Sequence, residues 1–111
     1  MRFEVTTTLD RVVECNCSIC TRKGYLHHIV PQEAFRLVSG ADSLATYRFG
    51  TGIAQHHFCR ACGVASFYVP RSHPDRIDVN VRCLDDVALD GLAIVRFDGR
   101  NWEQSIDSLD V

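Results

Sequence analysis

Cys15-Asn16-Cys17-Ser18-Ile19-Cys20 gathers three cysteines within six residues, and Cys59-Arg60-Ala61-Cys62 answers it far downstream. This is metal-ligand spacing. Side chains on a strand alternate with a period of two, so Cys15 and Cys17 leave the backbone on the same face. The turn that follows brings a third thiol round to them, and Cys15, Cys17 and Cys20 can then share one ion. Zinc is the ion expected, because soft thiolates held near-tetrahedrally select it. Neither a haem-type C-x-x-C-H nor the longer spacings of ferredoxin clusters is present. Three protein ligands leave a tetrahedral ion one position short, as in sites that bind a further group.

What such a site is mounted on follows from size and composition. A chain of 111 residues is expected to form a single zinc-binding β domain over residues 1–111. Its core would span 2–102, followed by a short acidic tail carrying Glu103, Asp107 and Asp110. The 46% apolar and 23% charged content is ordinary globular usage, which argues against disorder. No apolar run approaches ~18 residues and no signal pattern opens the chain, so no membrane partner is expected. Six cysteines could form three disulfides in a secreted chain. Spaced two and three apart in knuckle-like clusters, they read instead as metal ligands in a reducing, cytoplasmic setting. Fourteen acids against twelve bases give a net charge of −2, with the bases scattered. That balance argues against a nucleic-acid partner.

Between the motifs the chain reads as short strands punctuated by turns. Residues 2–6 alternate, and Val12-Val13 begin a second strand that runs into the cysteine cluster. Residues 18–22 form one helical turn capped by Ser18 and ended by Gly24. Residues 25–30, 35–38, 44–49, 53–58, 67–69, 77–81 and 92–97 are strand-like, with 77–81 the cleanest alternation. Phe3, Phe49, Phe58, Phe67 and Trp102 read as core, and Cys83 as a small buried hydrophobe rather than a ligand. No helical periodicity lasts beyond two turns, so the fold class is mainly β with curved sheets. His27-His28 and His56-His57 are adjacent pairs on strands, each sending one imidazole to either face. An inward member could bind a carboxylate or move a proton near the metal, and His28 and His56 are the candidates. Arg22 and Lys23 directly follow the triad and are candidates for binding substrate carboxylates.

Four stretches carry a family resemblance. They are Cys15-Asn16-Cys17-Ser18-Ile19-Cys20-Thr21-Arg22-Lys23-Gly24, Phe58-Cys59-Arg60-Ala61-Cys62-Gly63, Val79-Asn80-Val81-Arg82-Cys83-Leu84-Asp85 and Phe97-Asp98-Gly99-Arg100-Asn101-Trp102. Together, in order and spacing, they resemble the glutathione-dependent formaldehyde-activating enzyme family, which is related to centromere protein V. The resemblance implies a small zinc-binding β-tent fold with little helix and two metal sites. It makes Cys15, Cys17 and Cys20 the three-thiolate catalytic zinc site, and Cys59 and Cys62 half of a four-thiolate structural site. Family members usually carry a C-x-C-G run just before the segment that here reads Arg2-Phe3-Glu4-Val5, whereas this sequence begins at Met1. An upstream start, loss of the site and a shortened sequence all fit. Cys59 and Cys62 could then be completed by His56 or His57 or by water, could stay as reduced thiols, or could oxidise as a C-x-x-C pair. One closed Cys₄ site joining the two clusters is a further reading of the residues. This 111-residue form is expected to hold at most one zinc tightly, at the triad.

Three thiolates give a zinc ion a net charge of about −1, which makes it a poor generator of hydroxide and better suited to exchanging thiolates. The resemblance supplies the reactants. Glutathione and a small aldehyde, formaldehyde, would combine to S-hydroxymethylglutathione, the work of a carbon–sulfur lyase of the S-(hydroxymethyl)glutathione synthase type. The competing class is a non-enzymatic zinc module that binds a protein, a nucleic acid or a thiol carrier. An odd number of thiols at the triad and the lack of interleaved aromatic and basic residues oppose it.

Overall fold

The computed structural model describes residues 1–109. In chain order the strands are β1 (Arg2–Val5), β2 (Arg11–Cys15), β3 (His27–Pro31), β4 (Phe35–Ser39), β5 (Leu44–Tyr47), β6 (His56–Cys59), β7 (Phe67–Tyr68), β8 (Arg76–Asn80) and β9 (Ala93–Phe97). The two α-helices are short, α1 (Ser18–Lys23) and α2 (Trp102–Ser105). The protein is mostly β, as the alternating segments require. Asp110, the last acid of the expected tail, lies outside the described residues. No helix among the described residues is long and apolar enough to cross a membrane.

The described chain falls into two compact units. The first takes residues 1–8 and 29–79. In it β1 pairs antiparallel with β4, β5 with β6, and β7 with β8, which in turn borders β3. Its core is Val30, Phe67 and Val79, with Phe3, Phe35, Leu37 and Ile77 packed against it. Phe35 lies 5.4 Å from Phe3 and 4.6 Å from Phe67 between ring centroids. Phe3 and Phe67 are therefore core, as expected, and Phe58 is half-buried. Phe49 is not core. It is 49% exposed, because β5 ends at Tyr47 and the ring sits in the loop beyond the ladder. The strand expected over 53–58 starts only at His56, since Gly50 and Gly52, both at positive φ, keep the preceding chain in a turn.

The second unit takes residues 9–28 and those from 80 onward. Val12, Leu26 and Val81 form its core, with Leu9, Leu84, Val87, Leu89 and Leu92 around them. β2 meets the first residue of β3 antiparallel, Val13 opposite His27. On its other side it runs parallel to β9, in a register that pairs Arg11 with Ala93, Val13 with Val95 and Cys15 with Phe97. Trp102 opens α2 and is half-buried. Cys83 is likewise half-buried rather than deep in the core, in a 3₁₀ turn over Val81–Cys83.

Asn80 pins this unit from within. Its Oδ1 accepts from Leu26 N at 3.4 Å and from Arg82 N at 3.1 Å, and the residue is only 7% exposed. Asn80→Ala strands two main-chain donors in or near the core, which costs about 1–3 kcal/mol. Urea denaturation should show a loss of that order; a change under ~0.5 kcal/mol, the range of ordinary surface substitutions, would contradict it.

Candidate metal centre

The end of β2 and the start of α1 place the three sulfurs. Cys15 is the last residue of β2, Cys17 is the N-cap of α1, and Cys20 lies one turn further along it. The cap is Cys17 rather than the expected Ser18: its Sγ accepts from Cys20 N at 3.4 Å. A thiolate can serve there as a hydroxyl does, by supplying an acceptor to an orphan N–H of the first turn. Gly24 ends the helix as its composition suggests. With φ at 63° it sends its N–H to Thr21 O, and Tyr25 N donates to Cys20 O, a Schellman closure. Residues three apart share a helix face, so Cys17 and Cys20 point the same way.

The sulfurs of Cys15, Cys17 and Cys20 all lie within 4.8 Å of one another. Among the described residues they form the one group of three or more possible ligands that converge in this way. A tetrahedral zinc with bonds of ~2.3 Å sets its sulfurs ~3.8 Å apart, so the cluster fits the ion with small adjustments. Cys20 is buried and the other two are half-buried, so the cluster is only partly shielded from solvent.

Ionisation of the three thiols is shared. Hydrogen bonds from the thiols of Cys15 and then Cys20 push the Cys17 thiol far below the usual range, with the backbone N–H groups of α1 adding to them. The contact with Cys17 raises the Cys15 thiol while that with Cys20 lowers it, the contacts with Cys15 and Cys17 raise the Cys20 thiol, and burial raises both. Three thiols this close titrate as one group, and a cation that binds them takes the place of protons.

A second layer, to which the sequence pattern assigns no role, grips the cluster from β9. The parallel register brings Phe97 beside Cys15, and the following loop folds across Asn16, the residue between two of the cysteines. Asn16 N donates to Phe97 O at 3.2 Å and its Nδ2 to Asp98 Oδ1 at 2.9 Å. Arg100 N donates to Asn16 Oδ1 at 3.0 Å, and Arg100 Nε to Asn16 O at 2.9 Å. Asn101 Nδ2 completes the clasp on Asp98 Oδ2 at 2.9 Å. These amides, Asn101 first and then Asn16, hold the Asp98 carboxyl below the usual carboxylate range. The clasp is therefore intact at neutral and mildly acidic pH and is lost only as pH falls through that lowered value. The Phe97-Asp98-Gly99-Arg100-Asn101 stretch was visible as a motif, but nothing in it signals which residue it grips.

The remaining candidates are placed as follows. Arg22 is exposed and its Nη1 turns back to Ser18 O at 2.9 Å. Lys23 Nζ stands 5.8 Å from the centroid of the Tyr25 ring. His28 is half-buried on β3, while its neighbour His27 is buried. His56 belongs to the first unit, buried between Phe49 and Tyr68 with ring centroids at 5.4 and 5.1 Å. Cys59 and Cys62 belong to that unit as well. Cys59 is buried at the end of β6 and Cys62 is exposed. Backbone N–H groups of Cys62 and then Ala61 lower the Cys59 pKa, which favours the thiolate a metal would need.

Two comparisons bear on this arrangement. Residues 1–96 match the family model described as glutathione-dependent formaldehyde-activating enzyme. A crystal structure of a Rhodobacter sphaeroides protein is similar at 33% identity with a TM-score of 0.75, covering 84% of this chain and 90% of that one.

Gly99 is the tightest point of the site. A β-carbon built there would overlap the Cys15 sulfur and lie 3.1 Å from Cβ of Cys17. Space, not backbone conformation, excludes a side chain. Gly99→Ala should therefore push Cys15 out of position and lower metal affinity by about tenfold or more, as loss of support around ligands does elsewhere. Competition against a chromogenic chelator measures this, with far-ultraviolet circular dichroism unchanged; wild-type affinity in the variant would contradict it.

Proposed function

The chain belongs to the glutathione-dependent formaldehyde-activating enzyme family, and on that premise we propose that it is a zinc-dependent carbon–sulfur lyase that joins glutathione to formaldehyde as S-hydroxymethylglutathione. The observation that carries the reading is the convergence of Cys15, Cys17 and Cys20 within 4.8 Å on a partly open cluster. A zinc ion held there would supply an open position at which a thiol gives up its proton.

The protein's own residues do the rest. Three thiolates fix the ion and keep its net charge low, which favours exchange of thiols over activation of water. The clasp on Asn16 keeps Cys15 and Cys17 from drifting as a ligand enters. In the reaction the glutathione sulfur bonds to the formaldehyde carbon, the carbonyl π bond breaks onto oxygen, and the proton given up by the thiol ends on that oxygen. Arg22, Lys23 and His28 are proposed to contact substrate, supported by their position just after the triad and on the next strand. Cys59 and Cys62 are proposed as a two-thiolate half-site for a second zinc, supported by the lowered Cys59 pKa. A cytoplasmic location is proposed, supported by cysteines spaced as metal ligands rather than as disulfide partners.

Titration calorimetry of the zinc-loaded protein in buffers of different ionisation enthalpy tests the reading. Glutathione should bind with release of a proton, and its affinity should rise with pH until the free thiol itself ionises. S-methylglutathione keeps both carboxylates and the amine but cannot become a thiolate, and should bind far more weakly. Cys17→Ser should abolish zinc and thiol binding, whereas Cys83→Ser should spare both. Equal binding of the two peptides, with no proton released in either case, would contradict the proposal.

A further inference from the structure

Arginine side chains touch the main chain of the cluster segment at three carbonyls: Arg22 at Ser18, Arg82 at Gly24 and Arg100 at Asn16. They are not equivalent. Arg22 spends a terminal nitrogen, Nη1, on its own helix, which turns its fork back towards α1. Arg82 is anchored through Nε at the far end of α1, beyond Cys20. Arg100 is held twice, through its main-chain N–H on Asn16 Oδ1 and through Nε on Asn16 O, one peptide unit from both Cys15 and Cys17.

We propose that Arg100 receives a carboxylate of the incoming thiol, so that the site selects small thiols that carry an acid group. The inference rests on the thiol-handling reading above and adds the residue that sets its specificity. Anchoring through Nε leaves both terminal amino groups of Arg100, and among the described residues neither makes a hydrogen bond or ion pair. That outer edge is a planar pair of donors matched to the two oxygens of a carboxylate. The anchor also removes much of the rotamer freedom that an exposed arginine would lose on binding. Asp98 is the acid beside it, but both its oxygens are already occupied by the amides of Asn16 and Asn101. Charge points the same way. A divalent ion with three thiolates carries about −1, a fourth thiolate deepens it, and a ligand with a carboxylate adds more. A fixed cation beside Cys15 and Cys17 offsets this where it develops.

Cobalt(II)-loaded protein tests the inference, because thiolate-to-metal charge-transfer absorption reports each added sulfur directly. The probes are 3-mercaptopropionate and its amide, which have the same shape and differ in charge. Wild type should bind the acid about tenfold more tightly than the amide, the worth of one charge-assisted pair. Arg100→Gln keeps a donor for Asn16 O and should show the unliganded cobalt spectrum of wild type, with both probes binding at the amide's affinity. Should that variant fail to load cobalt, Arg100→Lys keeps the cation without the fork and should show a clearly reduced preference. A tenfold preference that survives in Arg100→Gln, or in full in Arg100→Lys, overturns the inference. So does a wild type that binds both thiols equally, which would leave the thiol reading standing. If neither thiol changes the wild-type spectrum, the thiol reading fails and the inference falls with it.

Discussion

The parallel ladder between β2 and β9 is the constraint on which the site depends. Its register sets Cys15 opposite Phe97. The loop after Phe97 therefore arrives over the Cys15 sulfur. A slip of one residue would turn Cys15 away from the face over which that loop folds, and the clasp on Asn16 would lose its partners. Every contact of the clasp, from Asn16 N to Asn101 Nδ2, follows from that alignment, as does the need for glycine at position 99. Val12 and Val13, 1% and 8% exposed, lie within the ladder itself, so burial of the strand and placement of the Cys15 sulfur are one event.

Around this ladder the site uses short-range devices. Cys17 caps the helix that carries Cys20, so the two sulfurs are fixed by the same hydrogen bond that starts α1. Gly24 stops the helix after six residues and lets the chain enter β3. Asp98 stays ionised because two amides hold it, and through Asn16 it steadies the segment between two sulfurs. These contacts decide where the sulfurs stand before a metal arrives, and such outer support weighs heavily on affinity.

Much of this was legible in the sequence. The spacing of Cys15, Cys17 and Cys20 follows from strand and helix periodicities alone, and the mostly β fold follows from the alternating segments. What stayed hidden was long-range. Asn16 and Asp98 are separated by 82 positions, and no local pattern announces that β2 and β9 run parallel. Gly99 and Arg100 consequently stand out only as part of a motif, with no partner assigned to them. Cys17 gives no sign of being the cap, because Ser18 beside it belongs to the residue types that usually serve. Phe49 was read as core from its chemistry, yet it lies past the end of β5, stacked on Tyr47 and His56 and still 49% exposed. Hydrophobicity identifies what can be buried; the ends of the ladders decide what is.

The central claim is that three thiolates hold an ion with one position left for a thiol. X-ray absorption at the zinc edge, recorded before and after addition of glutathione, tests it most directly. Before addition, three sulfurs at ~2.3 Å and one oxygen or nitrogen neighbour are expected, and after it four sulfurs. Four sulfurs in the untreated protein would make the site closed and structural. An unchanged first shell in saturating glutathione would equally contradict the claim.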